Sequence, residues 1–484
     1  MVSRINLPKN IPTYRGSAEV SFKVHLTNGY EVDFAPVIAS GQFTRLYDVG
    51  QLDCIDRVIP NARHTRYEHS LGVFYLAQEF IQGRRHKLPP YRQFLLLATA
   101  LLHDIGHGPR SHVYDIVAKA YIDKDHKTRT QEVISELSEE LKTAGGSHFE
   151  DNDISGDIKR LLSNGSPLAK LVSSKGVSFD KLDYVFRDSY YCVGDGADTT
   201  GNIRAIMDNL YFDGQRAAVS RGVMHHVKSF LHGIIHNNIY IYIRPDVETL
   251  EAFEMRAIVR AVTRGKKSKR LNLNEGYQMT DAQLMQFLKE NDGSRDLVNL
   301  VESFSDSSEL VTAASIRYPE GREEADSDPK MWMGSERITG EPNGVQDLVY
   351  ISGSDEISEL NDGLDIKKAL PKLVKLETNI RSQLGLSPTE LAIAFSPQID
   401  RLELEDESTT IVSTKGSLPR FRSIFGHDRS LRASMRYELR RLYAIRLITT
   451  RSKADKVQRF VKRSGEDIKG KGHTGFLTML KEYS

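Results

Sequence analysis

Four residues far apart in the chain carry side chains that suit one divalent cation: His69, the adjacent pair His103 and Asp104, and Asp180. Two imidazoles and two carboxylates make a mixed nitrogen and oxygen donor set. It fits one ion of manganese, iron, zinc, cobalt, nickel or magnesium better than calcium, with positions left for water and substrate oxygens. A water held by such an ion is acidified toward neutrality, so the chemistry this set supports is hydrolytic.

The surrounding runs say which elements must position these groups. His69 lies in Arg66-Tyr67-Glu68-His69-Ser70-Leu71-Gly72, where Tyr67, Leu71, Phe74 and Gln78 follow helical spacing and leave His69 on another face. The His103-Asp104 pair ends the apolar run Phe94 to Leu102, and Gly106, Gly108 and Pro109 then break the pattern, so a buried helix delivers the pair at its end. In the run from Phe179 to Asp188, Asp180, Lys181, Tyr184 and Asp188 share one helical face, whereas Leu182, Val185 and Phe186 share another. Taken singly, a histidine is more often a surface or hydrogen-bonded core residue. Three such runs in series are hard to produce by chance.

At these residues the chain resembles the HD-domain superfamily, and more narrowly the deoxynucleoside triphosphate triphosphohydrolases that include the branch joining a sterile alpha motif to an HD domain. The likeness covers roughly residues 35 to 260. It implies metal ligation by His69, His103, Asp104 and Asp180. It implies further that Gln51 and Asp188 touch the sugar 3′-hydroxyl from opposite sides, that Arg66 and Lys181 meet the phosphates, and that Tyr184 lies near sugar and phosphates. Tyr242 matches a tyrosine that crowds the 2′ position and favours deoxyribose. His107 and His112 are expected to position groups around the α-phosphate, and His126 to protonate the leaving sugar oxygen, a role suited to imidazole. Expected products are a deoxynucleoside and inorganic triphosphate, with an additional magnesium accompanying the nucleotide. Homo-oligomers are expected from the same resemblance. Where relatives bind an activating guanine nucleotide through Asp, Gln and Arg, this chain has Ala39, Thr44 and Tyr47, so activation by that route is not expected. The rival readings are an HD phosphohydrolase acting on a cyclic, monophosphate or signalling nucleotide, and a non-catalytic nucleotide sensor.

Composition sets wider bounds. A chain of 484 residues with 39% hydrophobic content can bury a large core and divide into a main domain with appendages. Lys and Arg total 66 against 65 for Asp and Glu, so no global basic field argues for nucleic acid as the main partner. Two cysteines, Cys54 and Cys192, fit a reducing cytoplasm rather than a disulfide framework. No apolar run approaches a membrane span, and the first residues lack an apolar signal core.

The fold expected is mainly α: an HD helical core with a short N-terminal β-hairpin around Asn28-Gly29 and a small α+β C-terminal appendage. The expected division is 1–270 for the hydrolase domain, 271–345 for a helical extension and polar linker, and 346–484 for the appendage with basic helices. Residues 315–345 read as a loop, 348–351 and 391–395 as strands with a helix over 365–384 between them, and 429–463 as a helical tail rich in Arg436, Arg440, Arg441 and Arg446. That tail reads as a solvated face before it reads as a phosphate, RNA or subunit contact. His225, His226, His232 and His236 cluster on one helical stretch; His232 and His236 have zinc-pair spacing but lack the accompanying Glu, which favours packing or phosphate contact over a second metal.

Overall fold

Thr65 opens the first long helix. Its side chain accepts from the Glu68 backbone while the Glu68 carboxylate accepts from the Thr65 N–H, so α1 (Arg66–Gln82) starts with a capping box and carries His69 in its first turn. The computed structural model describes residues 9–304 apart from 84–85, 164, 175, 195, 213, 215–216 and 265–269, and then 310–317, 330–337, 347–350, 366–395, 409–415, 418–423 and 444–466.

Ahead of α1 lie two antiparallel hairpins, β1 (Asn10–Thr13) with β2 (Gly16–Glu19), and β3 (Lys23–His25) with β4 (Glu31–Asp33). The second turns at Asn28 and Gly29, both left-handed with φ of 65° and 79°, as the Asn-Gly signal predicts. Helix α2 (Pro90–Leu102) has proline in its first turn and is buried from Gln93 to Leu102, which matches a run apolar on every face. It ends at His103. After a tight turn come α3 (Ser111–Ile122) and α4 (His126–Glu136), and later α5 (Phe179–Asp188), capped by the Ser178 hydroxyl. Strands β5 (Leu210–Phe212) and β6 (Ala217–Ser220) precede α6 (Met224–Asn237) and α7 (Pro245–Thr263).

One core joins the second hairpin to α1, α2 and α5. Phe34 stacks on Phe94 at 5.4 Å and meets Phe74 edge-on at 5.1 Å, with Leu71, Leu97, Leu101, Leu182 and Val185 around them. Each such side chain contributes about 1.5–3 kcal/mol on burial, which fixes the helices that carry the candidate ligands. A second core runs between α3 and α7 and includes Val117, Phe253 and Ala257.

The second core also receives the C-terminal elements. Strands β7 (Leu310–Arg317), β8 (Lys330–Arg337), β9 (Asp347–Tyr350), β10 (Leu391–Phe395) and β13 (Ala444–Thr450) form an antiparallel sheet in the order β10-β13-β7-β8-β9. Helix α8 (Ile366–Leu384) is joined to α7 by the buried pair Arg256–Glu377 at 2.6 Å, and the same arginine donates to the Ile393 carbonyl of β10 at 2.9 Å. Strand β11 (Thr409–Lys415) pairs with β12 (Leu418–Ser423) on one side and runs parallel to β6 on the other. The last helix is α9 (Ala454–Glu466).

Two expectations need correction. Part of the stretch read as a loop, 330–337, is β8, held between β7 and β9. Part of the tail read as helical, 444–450, is β13, because Leu447 and Ile448 are buried between β10 and β7. Arg446 therefore sits on a strand, while Arg436, Arg440 and Arg441 lie outside the described residues.

Candidate functional site

The four candidate ligands converge. His69 Nε2 lies 3.3 Å from Asp180 Oδ1 and 3.9 Å from Asp104 Oδ2; His103 Nε2 lies 3.8 Å from Asp180 Oδ1 and 3.6 Å from Asp104 Oδ1. The far nitrogen of each ring is engaged. His69 Nδ1–H donates to Asp183 Oδ2 at 2.8 Å, and His103 Nδ1–H donates to the Ala100 carbonyl at 3.0 Å. Both Nε2 atoms are buried without a hydrogen-bond partner. A ring whose Nδ1 carries the proton offers its Nε2 lone pair, which is how a metal-binding histidine is ordinarily held. The donor types and these two bare nitrogens fit a divalent cation, and His69, His103 and Asp180 offer ligand atoms within 4.8 Å of one another.

The electrostatics agree. Burial works against a charge on His69, yet Asp180 and Asp183 outweigh it and raise the imidazole to about 10. A cation reaching Nε2 would take the place of that proton. Burial also opposes charge on Asp104, but His103 and Arg66 hold it down to about 2, and His103 and His69 likewise keep Asp180 well below the carboxylate range.

Two glycines make this geometry possible. A Cβ on Gly72 would lie 1.9 Å from Asp183 Oδ1, and one on Gly106 would lie 2.2 Å from the His126 carbonyl oxygen. Glycine lets Asp183 press on α1 behind His69, and lets the turn after Asp104 close against α4.

Beside the candidate ligands, Arg66 donates from Nη1 to Asp104 Oδ2 at 2.6 Å and from Nε to Ser111 Oγ at 2.7 Å. Its Nη2 is buried and unpartnered. His107 stacks face to face on His126, with centroids 4.0 Å apart, and meets His112 edge-on at 5.3 Å. His126 Nδ1–H donates to Asp115 Oδ2 at 2.5 Å, so its Nε2 faces away from that carboxylate. Burial, with Arg66 and His126 adding to it, pushes His107 well below the usual imidazole range and keeps it neutral. Asp104, His107 and His126 form a second group with metal-ligand spacing, so Asp104 borders both groups.

Of the other expected contacts, Asp188 and Tyr242 meet each other. Asp188, at the end of α5, accepts from His64 Nε2 at 2.7 Å on one oxygen and from the Tyr242 hydroxyl on the other. Gln51 is buried, and its Oε1 has no partner. Tyr184 is half-buried against the first core, and Lys181 is half-buried next to Asp180. Tyr242 closes a single π-helical turn (Asn238–Tyr242) that follows α6, and a second π turn (Ser189–Val193) follows α5. The Ser189 hydroxyl and the Asn237 side-chain oxygen join the two at 2.9 Å. Such turns reset the facing of the residues after them.

Residues 66–174 match the family model described as the HD domain. An uncharacterized protein of Methanocaldococcus jannaschii is 27% identical over 261 residues, 52% of this chain and 51% of that one. The deoxynucleoside triphosphate triphosphohydrolase SAMHD1 of Gallus gallus is 31% identical over 188 residues, 32% of this chain and 31% of its own length. The chain thus spans about half of the first relative and about a third of the second. The crystal structure of a hypothetical protein from Aquifex aeolicus superposes with a TM-score of 0.60 at 17% identity, covering 94% of this chain and 99% of that one, and shares its fold.

Sequence reasoning passed over three residues of the candidate site. Asp183 lies one helical turn beyond Asp180, so its signal was present in the Asp-Lys-Leu-Asp run. Asp115 lies three residues after His112 and carried the same kind of local signal. His64 had none, because its partner is 124 residues away. The four histidines of α6 stay apart from this site: His225, His232 and His236 are exposed, His236 packs on Tyr240 at 4.4 Å, and His226 bonds Asn202 at 2.9 Å. No metal-ligand group among the described residues includes them. No helix among the described residues is long and apolar enough to cross a membrane.

Proposed function

We propose that the protein hydrolyses deoxynucleoside triphosphates to deoxynucleoside and inorganic triphosphate. The narrower reading is carried by the contact of the Tyr242 hydroxyl with Asp188: two residues expected at the sugar, 54 positions apart, share one hydrogen bond. Support also comes from the unpartnered Gln51 Oε1, which needs a donor such as a sugar hydroxyl.

His69, His103, Asp104 and Asp180 would hold the divalent cation, which would supply Lewis-acid chemistry at the scissile phosphate. The chain's own residues do the remainder. Arg66 aligns Asp104 and aims its free Nη2 toward charge that develops on phosphoryl oxygens. Lys181 adds a second positive charge for the phosphates. Asp115 fixes the His126 ring with Nδ1 as donor, so His126 Nε2 is the atom that holds and delivers the proton to the leaving oxygen. Asp188 and Gln51 orient the sugar, and Tyr242 fills the space that a 2′-hydroxyl would need.

The test is product analysis. Protein loaded with manganese is incubated with each deoxy- and ribonucleoside triphosphate, alone and in mixtures, and is expected to release deoxynucleoside and triphosphate. Orthophosphate or a monophosphate as product would overturn the reading in favour of a different phosphohydrolase. The variant with His103→Ala and Asp104→Ala is expected to fall to background; unchanged turnover there would remove the site from the chemistry.

A further inference from the structure

We propose that His64 is a positioning residue that holds Asp188 in the orientation needed to accept a hydrogen bond from a ligand's sugar hydroxyl. The inference rests on the function proposed above, and concerns a residue to which that function gave no part.

The His64 imidazole is completely buried, with its ring held at Nε2 and on one face and its backbone held by Gln51. Its Nε2 lies 2.7 Å from Asp188 Oδ1. Its face stacks on Tyr191 at 4.8 Å with the planes 13° apart, and Tyr191, in the π turn after α5, in turn donates to the Glu68 carboxylate at 3.3 Å. Its own carbonyl accepts from the Gln51 backbone N–H at 3.0 Å. One residue therefore ties together the turn at Gln51, the end of α5 and, through Tyr191, the first turn of α1.

The proton inventory fixes the direction of the key bond. An ionised carboxylate only accepts, so Nε2 must carry the hydrogen. Asp188 then receives one donor on each oxygen, His64 on Oδ1 and Tyr242 on Oδ2. Each carboxylate oxygen has room for about two donors, which leaves acceptor capacity on both. An aspartate carboxylate otherwise turns easily about its terminal torsion, whose preference is broad and two-fold. With both oxygens pinned, the plane is set before the ligand arrives, and no ordering cost is left for binding. A fixed carboxylate with spare acceptor capacity selects a ligand that donates hydrogen bonds, which is what a sugar hydroxyl does.

The alternative role is packing alone, and the two separate on substrate choice. His64→Phe keeps the stacked ring and removes the donor; His64→Gln restores a donor. Each is compared with wild type on a deoxynucleoside triphosphate and on its 2′,3′-dideoxy analogue. With Phe, KM for the hydroxyl-bearing substrate should rise roughly ten- to hundred-fold while the analogue's changes less than about two-fold, so that discrimination collapses. Gln should recover most of it. Equal losses on both substrates, or no loss on either, would overturn the proposal; if the Phe variant does not fold, Gln is judged against wild type for retained discrimination, and its absence overturns the proposal. Nitrogen NMR of the ring in the unliganded protein supplies an arm independent of substrate. An Nε2–H tautomer is expected, and an Nδ1–H tautomer would overturn the role outright. If wild type hydrolyses neither substrate, the function reading falls and the tautomer alone decides the place of His64.

Discussion

The two ends of the site are built on opposite plans. At one end, His69 and His103 are bonded only from behind, by Asp183 and the Ala100 carbonyl, and their front nitrogens are bare. At the other, Asp188 is bonded on both oxygens by side chains, and only spare acceptor capacity remains. The first end is incomplete without a charged guest, whereas the Asp188 carboxylate at the second is already held by the protein's own donors and recognises by direction. Binding a cation should therefore change the energetics of the first end strongly, and a sugar should change the second end little. Losses of support behind the rings should be read in metal affinity, and losses around Asp188 in substrate choice.

Asp183→Asn should give the largest effect of this kind. The substitution keeps the shape but removes the charge behind His69, and it weakens the pairing with Arg187, now 2.8 Å away. Changes to such outer partners cost about 10- to 100-fold in metal affinity. Metal titration followed by calorimetry should show a loss in that range with little change in KM for substrate at saturating metal. An unaltered metal affinity would mean that Asp183 serves the fold and not the ring. Gly72→Ala should come next. Its methyl group would overlap Asp183 Oδ1 and the Arg187 guanidinium, so the pair must move away from α1. Overpacking of that kind costs about 1–3 kcal/mol, to be read as a lower midpoint in thermal unfolding together with weaker metal binding. A variant that melts normally and binds metal normally would show that Asp183 has other places to go.

The contrast between the two ends also explains what the sequence made legible. The candidate ligands sit in local runs whose apolar spacing gives the helix, and whose remaining polar residue must face elsewhere. His69, His103 and Asp180 could be placed on their elements from such runs alone, and Gly106 marked the end of the helix that delivers His103. Asp188 could be placed on a face, but its environment could not: His64 and Tyr242 reach it from 124 and 54 residues away. No local pattern encodes those distances. The π turn that aims Tyr242 is likewise one residue of helical phase, invisible to a reading at 3.6 residues per turn. The same physics accounts for the misread strands. Lys330–Arg337 is flanked by polar, Gly- and Pro-rich sequence, and Ala444–Thr450 follows a run of arginines, so composition spoke for loop and helix. Their pairing partners, which decide the matter, are distant in the chain.

Tyr242→Phe is the smallest expected effect and the sharpest probe of the second end. It removes the hydroxyl that donates to Asp188 and keeps the ring. A single hydrogen bond of this kind contributes about 0.5–1.5 kcal/mol, so KM for a deoxynucleoside triphosphate should rise about 2- to 12-fold while kcat holds. Under the proposed function, exclusion of ribonucleotides belongs to the bulk of the ring and not to its hydroxyl. The ratio of kcat/KM for deoxy- over ribonucleotide should then stay within about two-fold in the Phe variant, whereas Tyr242→Ala, which opens the space, should lower it further than any other change at this end. A Phe variant that turns over ribonucleotides freely would show that the hydroxyl, through Asp188, discriminates between sugars, and Asp188 would have to be counted as reading both sugar positions.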